Sequence, residues 1–233
     1  MSDPNASRQL VLDLGLRVEA TLANFVPGRN GPALYLLEGL AAGERGERQV
    51  HLWGGSGCGK THLLRALGRG PGAHYLSCRD AKAADLTIDG PGLWCIDDVD
   101  SADVALQAAL FNLINAVRGA PDAALVSAAA APPLHLALRE DLRTRLGWGP
   151  VYRIEPLDDI ERAAALAQRA SERGLLLSED VLNYLLTHFS RDMSSLVALV
   201  DALDRYTIER QRVLTVPLLR EWLQHRKSAP HVS

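Results

Sequence analysis

The 233-residue sequence is poor in cysteine and aromatic residues, and it lacks a long hydrophobic run. Its three cysteines, Cys58, Cys78 and Cys95, form no CxxC pair or Cys/His ligand spacing, which argues against a zinc site and a disulfide framework. No stretch of about 18 apolar residues occurs, so we expect no membrane-spanning helix. The N-terminus also lacks the charged-then-apolar pattern of a secretion signal. These absences favour a cytoplasmic protein with reduced thiols.

A surplus of charge of either sign is also missing. The formal net charge is −3, whereas a protein that binds nucleic acid through its phosphates normally carries a basic surplus. We therefore expect no direct sequence-specific DNA binding. Hydrophobic residues make up 47% and charged residues 23% of the chain, which is typical of a globular protein and excludes a disordered one.

The chain divides into three zones by composition. Residues 1–17 form a short flexible tail, residues 18–155 alternate short apolar runs with helical spacing, and residues 156–233 show helical spacing only. Strands that alternate with helices predict βαβ units and a parallel sheet. The sequence therefore predicts an α/β domain followed by a small all-helical domain, with Pro156 near the boundary.

Hydrophobic spacing also locates the individual elements. The predicted strands are 51–53, 74–78, 93–96, 124–128 and 151–154, and the helices between them are 60–69, 103–118 and 135–146. In the last zone two sets of apolar residues recur at helical spacing: Leu182, Leu185, Leu186 and Phe189, and then Leu196, Val197, Val200 and Leu203. Thr215 is the predicted N-cap of a final helix, with Pro217 in its first turn.

A glycine-rich phosphate-binding loop is the strongest functional signal. The pattern GxxxxGK[ST] is satisfied at every fixed position by Gly54, Gly55, Ser56, Gly57, Cys58, Gly59, Lys60 and Thr61. Glycines let successive N–H groups point at phosphate oxygens, and the following helix presents its positive end to the same anion. Lys60 supplies a cation for the phosphates, and Thr61 supplies a Mg²⁺ ligand. The alternative, a glycine-rich turn with a surface lysine, is disfavoured by the flanking strand and helix.

Two consecutive acids, Asp97 and Asp98, end the apolar run at 93–96. In a Walker B strand the first acid would hold Mg²⁺ and the second would act as the catalytic base that polarises the attacking water. Such acids can also merely cap the next helix, an alternative that the intact phosphate loop disfavours. Most relatives of this type carry Glu at the second position, and the shorter Asp98 suggests slow turnover.

These motifs, with the helical C-terminal zone, resemble the AAA+ ATPases of the DnaA clade, and within it the Hda family, over nearly the whole length. The resemblance implies a P-loop AAA+ core, a helical lid, and ADP or ATP bound with Mg²⁺. Residues 24–28 resemble the segment that packs on adenine, which implies contacts from Phe25 and Val26, with His62 beside the loop. Arg191 lies where the clade carries its sensor 2 arginine. Ser127, at the end of a predicted strand, is the one polar candidate for sensor 1.

Residues 143–149 match the clade's box VII, in which the arginine before a Leu/Phe-x-Trp-Gly stretch is the arginine finger. That residue here is Arg145, which the resemblance makes a catalytic residue for a neighbouring subunit's nucleotide. Arg143 is a nearby competitor. The alternative is an ordinary solvated arginine, and only the context of Trp148 and Gly149 argues against it.

The N-terminal segment 9–14 resembles the hexapeptide with which the Hda family binds the β sliding clamp of DNA polymerase III. Gln9 offers an amide that bonds in both directions. Leu10, Leu12 and Leu14 place apolar side chains on alternate positions, which suits docking into an apolar groove. A first strand or a disordered tail is the alternative.

The resemblance thus implies a regulator of replication initiation. A nucleotide-bound chain on the clamp would contact ATP-bound DnaA, complete its active site with Arg145, and inactivate the initiator by causing ATP hydrolysis. We expect no DNA-binding domain like the initiator's, because the chain ends at Ser233. A stand-alone ATPase or helicase loader, and a clamp adaptor that does not hydrolyse ATP, are the alternatives. The oligomeric state, including a homo-oligomer, is left open.

Overall fold

The computed structural model describes residues 19–44, 46–86, 92–189 and 193–228. The chain divides into two compact units, one spanning Glu19–Pro156 and the other beginning at Leu157. None of the helices in the described ranges is both long and apolar enough to cross a membrane.

The first unit is built on a five-stranded parallel sheet with the order β2-β3-β4-β1-β5. Its strands are β1 (Gln49–Trp53), β2 (Ala73–Ser77), β3 (Gly92–Asp97), β4 (Ala123–Ala129) and β5 (Val151–Arg153). All five predicted strands are confirmed to within a few residues. The central strands are almost continuously apolar because helices cover both faces of the sheet.

Helices pack on each face of this sheet. One face carries α1 (Gly31–Ala41) and α2 (Lys60–Leu67), whose buried residues share a core with Val50 and Leu52 of β1. The other face carries α3 (Val104–Gly119) and α4 (Glu140–Leu146) over Ile96, Leu125 and Ala129. Short 3-10 turns lie at Leu22–Asn24, Gly28–Asn30, Ala83–Asp85, Val99–Ser101 and Pro133–His135.

The sequence prediction was wrong in two places in this unit. The predicted helix 135–146 begins only at Glu140, because two prolines precede a stretch in which Leu136 and Leu138 are buried at strand-like alternation. Helix α1 was not predicted, although Pro32 in its first turn is a start signal. Ala33 and Leu37 of this helix are buried in the core that it shares with β1 and α2.

The second unit is a helical bundle, as predicted, with four helices in its described residues. These are α5 (Asp159–Ser171), α6 (Glu179–His188), α7 (Met193–Arg210) and α8 (Val216–Ser228), packed around a leucine-rich core. The predicted N-cap is confirmed, because the backbone N–H of Leu218 donates to Thr215 Oγ1 at 3.4 Å. Arg173 and Arg169 both lie within ion-pair distance of Asp201 and hold α5 to α7.

Candidate nucleotide site and arginine surface

The glycine-rich loop connects β1 to α2 at the carboxyl edge of the sheet. Gly57 and Gly59 have φ values of +76° and +104°, a region that side chains disfavour. A Cβ at Gly59 would lie 2.7 Å from Cε2 of Phe25, and a Cβ at Gly54 would lie 2.4 Å from the carbonyl oxygen of Ile154. These contacts explain why the loop needs glycine at both positions. Because no side chain covers these positions, the backbone of the loop is open to an anion.

Lys60 begins α2 and folds its side chain over the loop. Its ammonium donates to the carbonyl oxygens of Gly54 at 2.7 Å and Gly55 at 3.1 Å. Cys58 Sγ lies 3.7 Å from the same nitrogen. Thr61 follows in the exposed first turn of α2. The Lys60 ammonium and the Thr61 hydroxyl are therefore the groups that a phosphate bound to the loop would contact.

The first of the two consecutive acids, Asp97, is the last residue of β3, and Asp98 follows it at the same edge of the sheet. Asp97 is 1% exposed, and its carboxylate accepts from the Tyr75 hydroxyl at 3.1 Å and from the N–H of Asp98 at 3.0 Å. Its position is fixed by these bonds. Because parallel strands end together, it shares the loop's edge of the sheet and is a candidate metal ligand beside Thr61.

Asp98 is held differently. Its backbone is left-handed, with φ at +52°, and its Oδ2 accepts from the Ser77 hydroxyl at 3.0 Å. Arg79 Nε pairs with the same oxygen at 3.0 Å. Sequence reasoning missed both partners, although Ser77 ends β2 as Asp97 ends β3, and Arg79 follows two residues later. The candidate base is thus engaged by two neighbours in this structure.

The segment predicted to face adenine lies against the loop. The Phe25 ring centroid is 5.8 Å from that of His62 on α2, and Val26 is partly buried beside it. His62 Nε2 lies 2.9 Å from the carbonyl oxygen of Thr21 and ties this segment to the loop's helix. The structure therefore brings together the aromatic ring, the imidazole and the loop.

Asn30 anchors the other end of this segment. It is 5% exposed, donates to the carbonyl oxygen of Glu155 at 2.9 Å, and accepts from the N–H of Glu155 at 2.8 Å. Arg29 also reaches the Glu155 carboxylate at 3.4 Å. Through these bonds the 3-10 turn after Phe25 and Val26 is fixed to the chain that follows β5.

Ser127, the candidate for sensor 1, does not lie at the end of its strand. Strand β4 continues to Ala129, so Ser127 lies inside the strand and is 1% exposed. Its hydroxyl lies 2.8 Å from Nδ1 of His51, a fully buried residue opposite it on β1. The alanines after Ser127 pair with Leu52 and Trp53 and thereby lengthen the strand.

His51 is held neutral by its surroundings. Burial lowers its pKa to about 4, with a smaller opposing effect from the backbone of Ala131. Burial also raises the pKa of the Cys95 thiol to about 12, which makes this thiol unreactive. The strand before the loop, β1, thus carries a buried neutral imidazole that is hydrogen-bonded to Ser127 of the neighbouring strand β4.

Arg145 lies on a separate surface, at the amino edge of the sheet. Its carbonyl oxygen accepts from the side chain of Gln49, the first residue of β1. The glycine-rich loop follows the last residue of this strand, and five strand residues span about 13 Å. The arginine and the loop of one chain therefore face opposite edges of the sheet.

The guanidinium of Arg145 is fixed by three neighbours. It donates to Oδ1 of Asn115 on α3. Its central carbon lies 4.7 Å from the Phe111 ring centroid and 4.0 Å from that of Trp148. Arg143, the competitor, instead donates to the carbonyl oxygen of Leu134 at 3.3 Å. Of these two arginines, Arg145 is the one whose guanidinium is held by a side-chain amide and two aromatic rings.

The remaining predicted site residues lie outside the described part of the chain. They are Arg191 of the predicted sensor 2 and the clamp-motif residues Gln9, Leu10, Leu12 and Leu14.

Replacing Gly59 with alanine is expected to lower the free energy of unfolding by about 1–3 kcal/mol, because of the left-handed backbone and the contact with Phe25. It should also weaken binding of a fluorescent ADP analogue more than tenfold. Gly119→Ala is the control, because a Cβ there meets no atom within 4 Å. Denaturant unfolding of both variants tests this prediction, and equal stability would contradict it.

Comparison with known proteins finds similarity to a lid-domain family and to several solved structures. Residues 159–223 match a family model described as "Hda, lid domain". Domain III of DnaA from Thermotoga maritima is similar with a TM-score of 0.64 and 20% identity, covering 91% of this chain and 99% of that one. AMPPCP-bound DnaA from Aquifex aeolicus gives 0.61 and 24%, covering 84% and 69%. The Thermotoga maritima RuvB branch migration motor gives 0.61 and 20%, covering 90% and 72%.

A parallel sheet with a P-loop, followed by a helical unit, is the fold of AAA+ proteins such as DnaA and RuvB. Within the second unit, residues 159–223 are similar to the lid domain of Hda.

Proposed function

We propose that this chain binds an adenine nucleotide and, held on the sliding clamp, stimulates ATP hydrolysis by DnaA, thereby inactivating the initiator. The observation that carries the proposal is the placement of Arg145. A preorganised guanidinium at the edge of the sheet opposite the chain's own loop is suited to act on another subunit's nucleotide.

The loop region fits an adenine nucleotide. The glycines expose backbone N–H groups to phosphate, and Lys60 and the start of α2 supply positive charge. Phe25 and His62 offer stacking surface for the base. The similar DnaA from Aquifex aeolicus is described as AMPPCP-bound, which supports the same ligand class here. From the sequence, Arg191 is proposed to contact the phosphates.

Thr61 and Asp97 would hold Mg²⁺, which neutralises phosphate charge when it is bound. Asp97 is already fixed by Tyr75 and by the backbone. Asp98 would be the base for the chain's own nucleotide. Since Ser77 and Arg79 occupy its carboxylate, we propose that intrinsic turnover is slow, with ADP the resting ligand.

Arg145 is proposed to act in trans on DnaA. A guanidinium stabilises the charge that develops on the transferred phosphoryl group, provided that it is already oriented. Asn115, Phe111 and Trp148 supply that orientation before a partner binds. The chain would thus raise the rate of a reaction whose substrate and metal belong to DnaA.

Three ATPase measurements separate this proposal from its alternatives. ATP turnover is measured for the chain alone, for DnaA with DNA-loaded clamp, and for all components together. The proposal predicts little turnover by the chain alone and a large increase in the full mixture. High turnover by the chain alone, lost in Lys60→Ala, would support a stand-alone ATPase, which the complete phosphate loop keeps open as a second candidate. No increase in the mixture would favour a clamp adaptor.

Clamp binding through the N-terminal motif is tested with a peptide of residues 5–16 titrated into the clamp. We expect saturable binding that is lost when Leu12 and Leu14 are both replaced by alanine, because a few apolar anchors provide most of the affinity in such motifs. A peptide with the same composition in scrambled order is the control. Lack of binding at high micromolar concentration would remove the clamp from the proposal.

A further inference from the structure

A second arginine lies beside Arg145 on the same surface. We call this the finger surface, and it consists of Phe111, Asn115, Arg118, Arg145 and Trp148. Arg118, near the end of α3, places its guanidinium carbon 4.2 Å from the Trp148 ring centroid, and that of Arg145 lies 4.0 Å from the same centroid. Two positive groups therefore share one indole ring.

The charge on the finger surface has no carboxylate counterion within the described part of the chain. Among the residues that the structure describes, neither Arg118 nor Arg145 pairs with a carboxylate, and the polar partner of Arg145 is a neutral amide. Other arginines of this unit, such as Arg79 and Arg139, pair with an aspartate at 3.0 and 2.6 Å. Holding two like charges this close costs free energy unless an anion approaches them.

The exposure of the ring points to a protein partner. Trp148 is 42% exposed although its indole is one of the largest apolar groups in the chain. Tryptophan and arginine are, with tyrosine, the side chains enriched at the energetic centres of protein interfaces. An aromatic ring flanked by two guanidinium groups thus suits a surface that carries both apolar and anionic groups.

We propose that Arg118 is a second partner-binding cation, which contacts an anionic group on the nucleotide-bearing face of the AAA+ subunit on which Arg145 acts. This inference rests on the proposed function. Arg145 is half-buried and bound to Asn115, so it is oriented for the reacting phosphate. Arg118 is exposed and held by the Trp148 ring, so it promotes association and not the chemical step.

The test is single-turnover hydrolysis of DnaA-bound ATP, measured against the concentration of this protein on loaded clamp. Arg118→Ala should raise the half-saturating concentration by about five- to tenfold and leave the maximal rate within twofold of the original. It should also reduce the salt dependence of association. Arg118→Lys should recover most of the affinity because it restores the charge. The control is Arg210→Ala, which removes an exposed guanidinium from the Tyr206 ring in the helical unit.

The possible results distinguish a failure of the inference about Arg118 from a failure of the proposed function. If Arg118→Ala behaves like Arg210→Ala, the inference fails and the proposed function stands. If it lowers the maximal rate without changing half-saturation, Arg118 positions Arg145 and is not a partner contact, which also overturns the inference. If the unaltered protein gives no stimulation, both fail. Thermal unfolding of each variant shows whether a loss reflects misfolding.

Discussion

Replacing Arg145 with alanine is expected to lower the stimulated rate of ATP hydrolysis by DnaA by about 10³-fold or more, because an arginine finger contributes an effect of that size to phosphoryl transfer. The guanidinium is oriented by Asn115 and by the rings of Phe111 and Trp148, and no other described arginine has this combination. The measurement is the single-turnover rate at saturating protein on loaded clamp.

Arg143→Ala is the matched control for this variant. Arg143 lies on the same helix, but its guanidinium donates to the backbone of Leu134 and not into the finger surface. We expect it to retain most of the stimulation. Both variants should bind clamp and nucleotide as the original does, because neither residue lies at the loop. Full stimulation by Arg145→Ala would show that the finger assignment is wrong.

The second large effect concerns stability in acid. His51 has a folded-state pKa of about 4, against 6.5 in the unfolded chain. Between these two values the unfolded chain binds a proton that the folded protein does not, so the free energy of unfolding decreases as pH falls from 6.5 to 4. The integrated loss is about 3 kcal/mol. Well above pH 6.5, where the imidazole is neutral in both states, this group contributes no pH dependence.

His51→Gln tests this assignment because glutamine keeps a polar group toward Ser127 but does not titrate. Urea unfolding is followed from pH 7 to pH 4 for the original protein, for His51→Gln and for His135→Gln, a replacement of an exposed histidine. The curve for His51→Gln should be flatter by about 3 kcal/mol over this interval, whereas that for His135→Gln should follow the original. Identical slopes for all three proteins would contradict the assignment.

The sequence predicted the strands and the glycine-rich loop because both have strong local signals. An apolar run before GxxxxGK[ST] specifies a strand, a turn and a helix together, and the structure has all three at residues 49–67. The helical unit was predicted for the same reason, because its leucines recur at helical spacing. The 135–146 segment was harder to predict, because the alternating leucines before Glu140 fit either a helix or extended chain.

The side-chain partners at the sites were not predictable, because they depend on distant contacts. Asn115 and Arg145 are 30 residues apart, and no local pattern pairs them. The same holds for Ser77 with Asp98, and for His51 with Ser127. Neighbouring parallel strands bring Ser77 and Asp98 to the same edge of the sheet, and they place His51 and Ser127 in register. The pairing of these residues therefore follows from the topology of the sheet and not from their spacing in the sequence. Likewise, no local pattern in the sequence distinguishes Arg118 from other exposed arginines, and its contact with the Trp148 ring is evident only in the structure.

The central claim is that this protein acts on a nucleotide it does not itself hold. The most direct measurement loads DnaA with radiolabelled ATP and this protein with unlabelled ADP, removes free nucleotide, and mixes them with loaded clamp. The account predicts that labelled ATP on DnaA becomes labelled ADP with the original protein but not with Arg145→Ala. Labelled ATP that stays intact with the original protein, or is cleaved equally with Arg145→Ala, would contradict it.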